Sequence, residues 1–424
     1  MKDLNTRNGA KGSRDLQTGV LRDRLLRNSN EETYRKEIKK GIHRQQKIRA
    51  AGALKDRTSI LKASLTSRST LRNPNIETAV IRATTHDEST VDYRSTQNVF
   101  AWVRISDDCL YYVLWVLFRR VKRTHNWAVA LKGLMLLHGV FSCKVPGIQE
   151  IGQLPYGLLN LREKHTKHGK ASDLHAFIHA YYAFLDKKSS FILLHSEEQM
   201  KRAVALPENE TEEKQKQKLM MQDLIWLQKL QGLLDALLRI RPRSSQTANA
   251  LVLEAMDCIM IEIYDIYSRI SIGIGTILMT VYSAGKNEAI MVLPVLQKAK
   301  VQIEEVCRFF EFCRDIGVGN TSECPQMEQI PEEVFKELED IISGNSKQPG
   351  IKNFPKEEVK SVIVVSNHKL IKTYDQNNSI SSLKTVITDD WEVFEEQKKS
   401  NLELISLPAK NNAKLDCLPD LISL

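Results

Sequence analysis

Between Thr78 and Val140 apolar residues return at helical spacing in four runs, divided by short polar breaks. Leu110, Val113, Leu114, Leu117 and Val121 follow the i, i+3, i+4, i+7 rule of a half-buried helix. Trp127, Leu131, Leu134 and His138 form a second such stripe. Ser106-Asp107-Asp108 and Thr124 stand where N-caps belong, just ahead of those two runs. Breaks this short predict helices that pack as antiparallel neighbours.

The same spacing continues, so residues from Ala50 to Gly344 read as helix after helix. Ser172-Asp173 precede a run carrying Phe177, Ile178, Tyr181, Tyr182 and Leu185. Residues 220–238 predict a long amphipathic helix that ends before Pro242, because proline disfavours helix in the residue ahead of it. Further helices are expected over 248–282 and 289–314. In the latter, Val292, Leu296, Ala299, Ile303, Val306, Phe310 and Cys313 alternate by four and three. That stripe reads as an intramolecular core face, with a coiled-coil seam to a partner as the alternative. Polar loops fall at 162–170 and 207–218. No strand-like alternation occurs over 50–344, so the expected class is all-α.

Ile270–Tyr282 is the longest apolar run. At about 13 residues it is short of the roughly 20 that a spanning helix needs, and predicts a buried core helix. Any membrane contact is then expected to be peripheral.

Composition changes the picture mainly at the ends. The chain has 424 residues and a net charge of +9. Residues 1–50 hold 14 Lys/Arg against 6 Asp/Glu, so almost all of that excess sits in the first eighth of the chain. Residues 1–46 therefore read as a basic extension without fixed structure, with a short helix over 30–49 as one option. A solvated tail and an arm for a membrane surface or nucleic acid both fit it. Residues 47–344 form the expected helical domain. From 345 onward Gly, Pro, Asn, Ser and Lys dominate and 11 Lys face 11 Asp/Glu, which predicts a disordered tail bearing short motifs. Seven scattered cysteines without CxxC spacing indicate reduced thiols.

Little in the chain points to catalysis. His175 and His179 share a helix face, but Ala176 stands where a zinc protease has Glu. His165 and His168 lie in a basic loop without nearby Cys or paired carboxylates. Gly273 and Gly275 fall inside an apolar helix rather than after a strand, so they suit close helix packing rather than a dinucleotide loop. No catalytic residue, metal ligand or cofactor is expected, and the chain is not read as an enzyme.

Several stretches carry a resemblance. Arg82-Ala83-Thr84-Thr85-His86, Val91-Asp92-Tyr93, Arg123-Thr124-His125-Asn126-Trp127 and Val129-Ala130-Leu131-Lys132-Gly133-Leu134-Met135 resemble the ANTH domain, and within it the clathrin assembly proteins of plants. The likeness continues through Cys143-Lys144-Val145-Pro146, Gln149-Glu150-Ile151, Phe177-Ile178, Tyr181 and Phe184-Leu185-Asp186, and more loosely to Ile342. It implies a right-handed superhelix of antiparallel helix pairs ending in a longer bundle. It also implies a clathrin-coat adaptor that binds phosphoinositide-containing membrane and promotes coated-vesicle assembly in endocytosis.

In that family a lysine just before the A-T-x-H element, with a basic cluster K-x-(K/R)-(H/Y) further on, holds inositol phosphates. Arg82 matches the lysine in charge, but the residues after His86 are Asp87-Glu88-Ser89-Thr90-Val91-Asp92, acidic or neutral. Lys47, Arg49, Lys55, Arg57, Lys62, Arg68 and Arg72, opposed only by Asp56, offer compensation. The expected lipid-binding residues are thus Arg82, Lys55, Arg57, Lys62 and Arg94. Arg119-Arg120 and Lys122-Arg123 form a second cationic patch, which also suits capping and solvation at a helix end.

The tail holds three hooks. Trp391 and Phe394 lie among Asp389, Asp390, Glu392, Glu395 and Glu396, and are similar to the W-x-x-F peptides that dock on adaptor appendages. Leu404-Ile405-Ser406-Leu407 and Leu421-Ile422-Ser423-Leu424 resemble the apolar part of clathrin boxes, and in the second the α-carboxylate is expected to stand where the box has its acid. The implied partners are clathrin heavy chain, adaptor complex appendages, phosphatidylinositol 4,5-bisphosphate or another anionic lipid, and SNARE cargo. The implied location is cytoplasmic, peripheral on coated pits and vesicles, and the Golgi. Two rival readings remain: a coat scaffold that does not recognise phosphoinositides, and a helical nucleic-acid-binding protein, against which the lack of interleaved aromatics counts.

Overall fold

A computed structural model describes residues 36, 39–44, 46–65, 73–155, 157–159, 170–204, 212–244, 247–319 and 329–344. All of them fall in the first of two units, Met1–Val359; the second, Lys360–Leu424, holds no described residue. Among the described residues there is helix and no strand, so the all-α class stands.

Residues 36 and 39–44 are helical, within the stretch where a short helix is one option. The helices from there on are α1 over 46–65, α2 Pro74–Ala83, α3 Tyr93–Val103, α4 Asp107–Arg123, α5 Trp127–Phe141, α6 Lys170–Val204, α7 Glu212–Leu238, α8 Ala250–Ala284, α9 Lys286–Asp315 and α10 Glu332–Ser343. A 3-10 turn, Pro146–Glu150, follows α5. From α2 to α10 each helix packs on its sequence neighbour, as short connections dictate.

Side-chain oxygens start several of these helices by accepting backbone N–H groups that have no partner in the first turn. Asn73 accepts from Asn75 N at 3.0 Å with Pro74 following, and Asp92 accepts from Ser95 N at 2.9 Å. Ser106 accepts from Cys109 N, as expected. Thr124 does not cap α5: Asn126 does, accepting from Val129 N at 3.0 Å, while Thr124 closes α4 and receives Asn126 N. Ser172 and Asp173 are likewise inside a helix, since α6 begins at Lys170.

The expected one-sided stripe on α5 is also corrected. This helix is buried on nearly every side, with Ala128, Val129, Leu131, Leu134, Leu137 and Val140 all out of solvent. It is the post against which α2, α3, α4, α6 and α8 lean. One position makes the closest approach possible. A Cβ at Gly139 would lie 2.2 Å from Phe100 Cζ, so any side chain there would push the Phe100 ring of α3 away from α5.

The second half is built from long helices. Every member of the α9 stripe, from Val292 to Cys313, is buried within the chain, which settles it as an intramolecular face. Pro294 interrupts the hydrogen-bond ladder of α9. Beside it Gln231 Nε2 of α7 donates to Val295 O at 2.9 Å, and Gln302 Nε2 of α9 returns a bond to Gln231 O at 2.8 Å. Val334, Phe335 and Leu338 then seat α10 on α9.

One buried polar cluster ties the halves together. His138 of α5 meets Tyr181 OH of α6 at 2.8 Å through Nδ1 and Glu262 of α8 at 3.1 Å through Nε2. Lys188 Nζ donates to the same Glu262 oxygen at 2.6 Å. Burial alone would raise the Glu262 pKa, but the Lys188 charge and the His138 bond outweigh it and hold the carboxyl well below its usual range. No helix among the described residues is long and apolar enough to cross a membrane.

Candidate membrane-facing site

The Ala83-Thr84-Thr85-His86 element begins on the last residue of α2 and is turned inward. Thr84 is fully buried, and Thr84 Oγ1 donates to Val80 O at 2.6 Å. Arg120 of α4 donates from Nε to Thr84 Oγ1 and from Nη2 to Thr84 O, both at 2.6 Å. Thr85 Oγ1 receives Lys132 Nζ of α5 at 3.1 Å. Lys132 is only 2% exposed, and burial pushes its pKa down against the pull of Asp87, Asp56 and Asp92.

Asp56 of α1 completes this node. Its carboxylate accepts from His86 N, sits 2.8 Å from His86 Nδ1 and accepts from Arg120 Nη2, also at 2.8 Å. Burial works against its charge, but the bonds from His86 and Arg120 together outweigh that and hold the carboxyl below its ordinary value. Asp56 is therefore not a surface counter-charge to the cations around it. Arg120 is corrected too: of the second basic patch it points inward, while Arg119 lies 5.0 Å over the Trp115 ring.

The acids after His86 have structural partners. Asp87 accepts from Ser89 N, Ser89 Oγ and Thr90 Oγ1, Glu88 receives Trp127 Nε1 at 3.2 Å, and Asp92 caps α3.

The five expected lipid residues lie at the surface in separate places. Lys55, Arg57 and Lys62 are exposed on α1, and Arg94 is exposed in the first turn of α3. Arg82 is exposed at the end of α2, where it lines a shallow groove of about 420 Å³ with Asn75, Thr78, Ser95, Asn98 and Trp102. That lining contains none of the other four cations. Arg68 and Arg72 lie outside the described residues, as do His165, His168 and all the tail residues from Trp391 to Leu424. His179 is exposed, and among the described residues no group of three His, Cys, Asp or Glu is placed to hold a metal.

What the residue pattern missed is the face of α1. At 3.6 residues per turn, positions two apart point to nearly opposite sides. Gly52, Asp56 and Ala63 face inward and are buried. Leu54, Leu61 and Leu65 face outward and are 63%, 60% and 80% exposed. Lys55 and Lys62 flank these leucines on one side and Arg57 on the other. The signal was present in the spacing 54, 61, 65, but burial had to show which side faces out.

The ANTH domain family matches residues 75–344, starting in the first turn of α2. A protein of Arabidopsis thaliana named "putative clathrin assembly protein" is 39% identical over 350 residues, covering 82% of this chain and 86% of the relative. A second of the same name and organism is 38% identical over 351 residues, covering 82% and 87%. A "clathrin coat assembly protein" from that plant is 26% identical over 331 residues, covering 71% of this chain and half of its own length. With its helix-on-neighbour architecture, its inward-turned Ala83–His86 element and a family match over most of its length, this chain belongs to the ANTH-domain family.

Proposed function

We propose that this chain is an adaptor of clathrin coats that lies on anionic membrane through the outer face of α1 and recruits clathrin and adaptor proteins through residues 389–424. The observation that carries the membrane half is the arrangement of α1. Leu54, Leu61 and Leu65 stand in solvent between Lys55 and Lys62 on one side and Arg57 on the other. A helix with an apolar line and basic flanks binds in the plane of an interface. Each Lys or Arg near an anionic leaflet contributes about 1 kcal/mol, so three supply roughly 3 kcal/mol before any leucine is buried. Arg82 stands apart in its own groove, and the residues after His86 are acidic, which favours charge-driven binding over a phosphate-reading pocket.

The relatives' names support the coat half, and Trp391, Phe394 and the two Leu-Ile-Ser-Leu elements supply hooks for it. Weak hooks act together because a shared chain and surface raise their effective concentration. Flotation of the full chain with neutral vesicles, and with phosphatidylserine and phosphatidylinositol 4,5-bisphosphate vesicles matched to each other in total charge, tests the reading. Equal binding to the two anionic sets is expected. Binding to the phosphoinositide set alone would return the function to an inositol-phosphate pocket, and binding to neither would end the membrane reading.

A further inference from the structure

The helix α1 is built inside out. Its outward line is leucine, while its docked face is Gly52, Asp56 and Ala63, joined by the half-buried Ser59 and Ile60. Such a face buries little apolar area, so the hydrophobic effect does little to hold it down. Contact is close all the same. A Cβ at Gly52 would stand 2.6 Å from His86 Cβ, which leaves no room for any other residue. Into that junction α1 places one carboxylate. Asp56 Oδ2 accepts from His86 N, while Oδ1 faces both His86 Nδ1 and Arg120 Nη2, all at 2.8 Å. Both sides of the ion pair are largely out of solvent, with side-chain exposures of 9% and 14%.

We propose that Asp56 is a positioning residue for membrane binding: its buried carboxylate fixes α1 on the Thr84–His86 element so that Leu54, Leu61 and Leu65 are presented outward as a pre-formed ridge. This rests on the reading of the α1 face as lipid-binding. Pre-formation matters because most of a helix's stability in a protein comes from tertiary packing rather than from propensity, so an unseated α1 has lost what chiefly holds it. Released from its seat, α1 must order itself on the membrane, and coupled folding of that kind consumes part of the interaction energy. Asp56 is also the lone acid in a run of seven Lys/Arg from Lys47 to Arg72, where a purely electrostatic design would have no carboxylate at all. A buried polar contact that sets geometry explains its presence.

The test uses the full chain as wild type, Asp56→Ala, Asp56→Glu and Lys55→Ala/Arg57→Ala/Lys62→Ala. Hydrogen exchange is measured without lipid, and flotation with mixed phosphatidylserine and phosphatidylcholine vesicles. Removing a negative charge should tighten binding to an anionic surface if charge is all that matters. Positioning predicts the opposite sign. Asp56→Ala should bind at least about tenfold more weakly, the size expected when ordering moves to the membrane step. Amides 52–63 should exchange much faster in that variant while those of α5 and α8 are unchanged, which separates a loosened α1 from a misfolded domain. Asp56→Glu, which keeps the carboxylate, should restore part of both. Undiminished binding by Asp56→Ala with α1 deprotected overturns the positioning role and leaves the lipid reading intact. Continued protection of 52–63 overturns the latch itself. Wild type and the triple variant floating alike would overturn the lipid reading, and the positioning role with it.

Discussion

Asp56 and Arg120 lie 64 positions apart in the chain and meet at 2.8 Å, each with its charge largely withdrawn from water. This contact joins α1 to α4 across the Thr84–His86 element. It turns two residues that belong, by position, to separate cationic surface patches into parts of one internal node.

Breaking the pair from the Arg120 side leaves a buried carboxylate with His86 alone. Arg120→Met should destabilise the domain by about 3 kcal/mol, the lower end for removing one partner of a buried pair. Urea unfolding followed by circular dichroism checks this, and a change within experimental error would mean the pair contributes nothing net. Because the folded-state pKa of Asp56 lies below its ordinary 3.8, its contribution is present above that value and is lost as pH falls through the folded pKa.

The His138 cluster predicts a second pH dependence, at higher pH. Burial, with the nearby Lys188 charge, pushes the His138 pKa below its ordinary 6.5, and the Glu262 bond opposes this only in part. Neutral His138 is held between Tyr181 and Glu262, with Lys188 against the same carboxylate. Below pH 6.5 the unfolded chain takes up a proton that the folded chain does not, so stability falls as pH falls, with a slope of up to about 1.4 kcal/mol per pH unit. His138→Gln should flatten the change in urea midpoint between pH 6.5 and 5. An unchanged slope would place the titrating group elsewhere.

Membrane affinity should follow α1 rather than Arg82. Arg82→Ala removes one exposed cation and is expected to weaken vesicle binding by about 1 kcal/mol, against about 3 for Lys55, Arg57 and Lys62 together. Binding should also fall steeply with salt, because exposed charges are screened over about 8–10 Å at physiological ionic strength. Loss of all binding in Arg82→Ala would contradict this order.

A side chain at Gly139 should cost stability. Its missing Cβ would come within 2.2 Å of Phe100 Cζ, in the contact where α3 meets α5. Gly139→Ala is expected to destabilise the domain by about 1–3 kcal/mol through overpacking, against a small gain from better helix propensity. Trimming the obstacle with Phe100→Leu in the same chain should recover part of the loss, which a thermal melt would report.

The coat hooks are expected to act separately. In the full chain, Leu421→Ala with Leu424→Ala should lower capture by the clathrin terminal domain, and Trp391→Ala with Phe394→Ala should lower capture by an adaptor appendage. Each pair should leave the other interaction in place. Loss of both by either pair would point to a shared element instead.

The residue pattern determined the class of this protein and most of its elements. Apolar periodicity over 110–121 and 292–313 marks helices whose faces are in fact buried, because an apolar line at helical spacing marks the side that must leave water. Ser106 was legible as a cap because a hydroxyl ahead of an apolar run satisfies N–H groups that nothing else can reach. Thr124 and Asn126 were not separable that way, since both side chains can cap and only the path of the chain chooses between them. The central place of α5 was invisible because burial on every side needs neighbours that lie far away in sequence. Charge misled for the same reason. Asp56, Arg120 and Lys132 look like surface residues one at a time, and only the packing of α1, α2, α4 and α5 brings them inside, where their bonds matter more than their net charge. Tertiary structure alone decided which way α1 turns its leucines, because an amphipathic pattern defines two faces and the contacts made by Gly52 and Asp56 decide which of them meets the solvent.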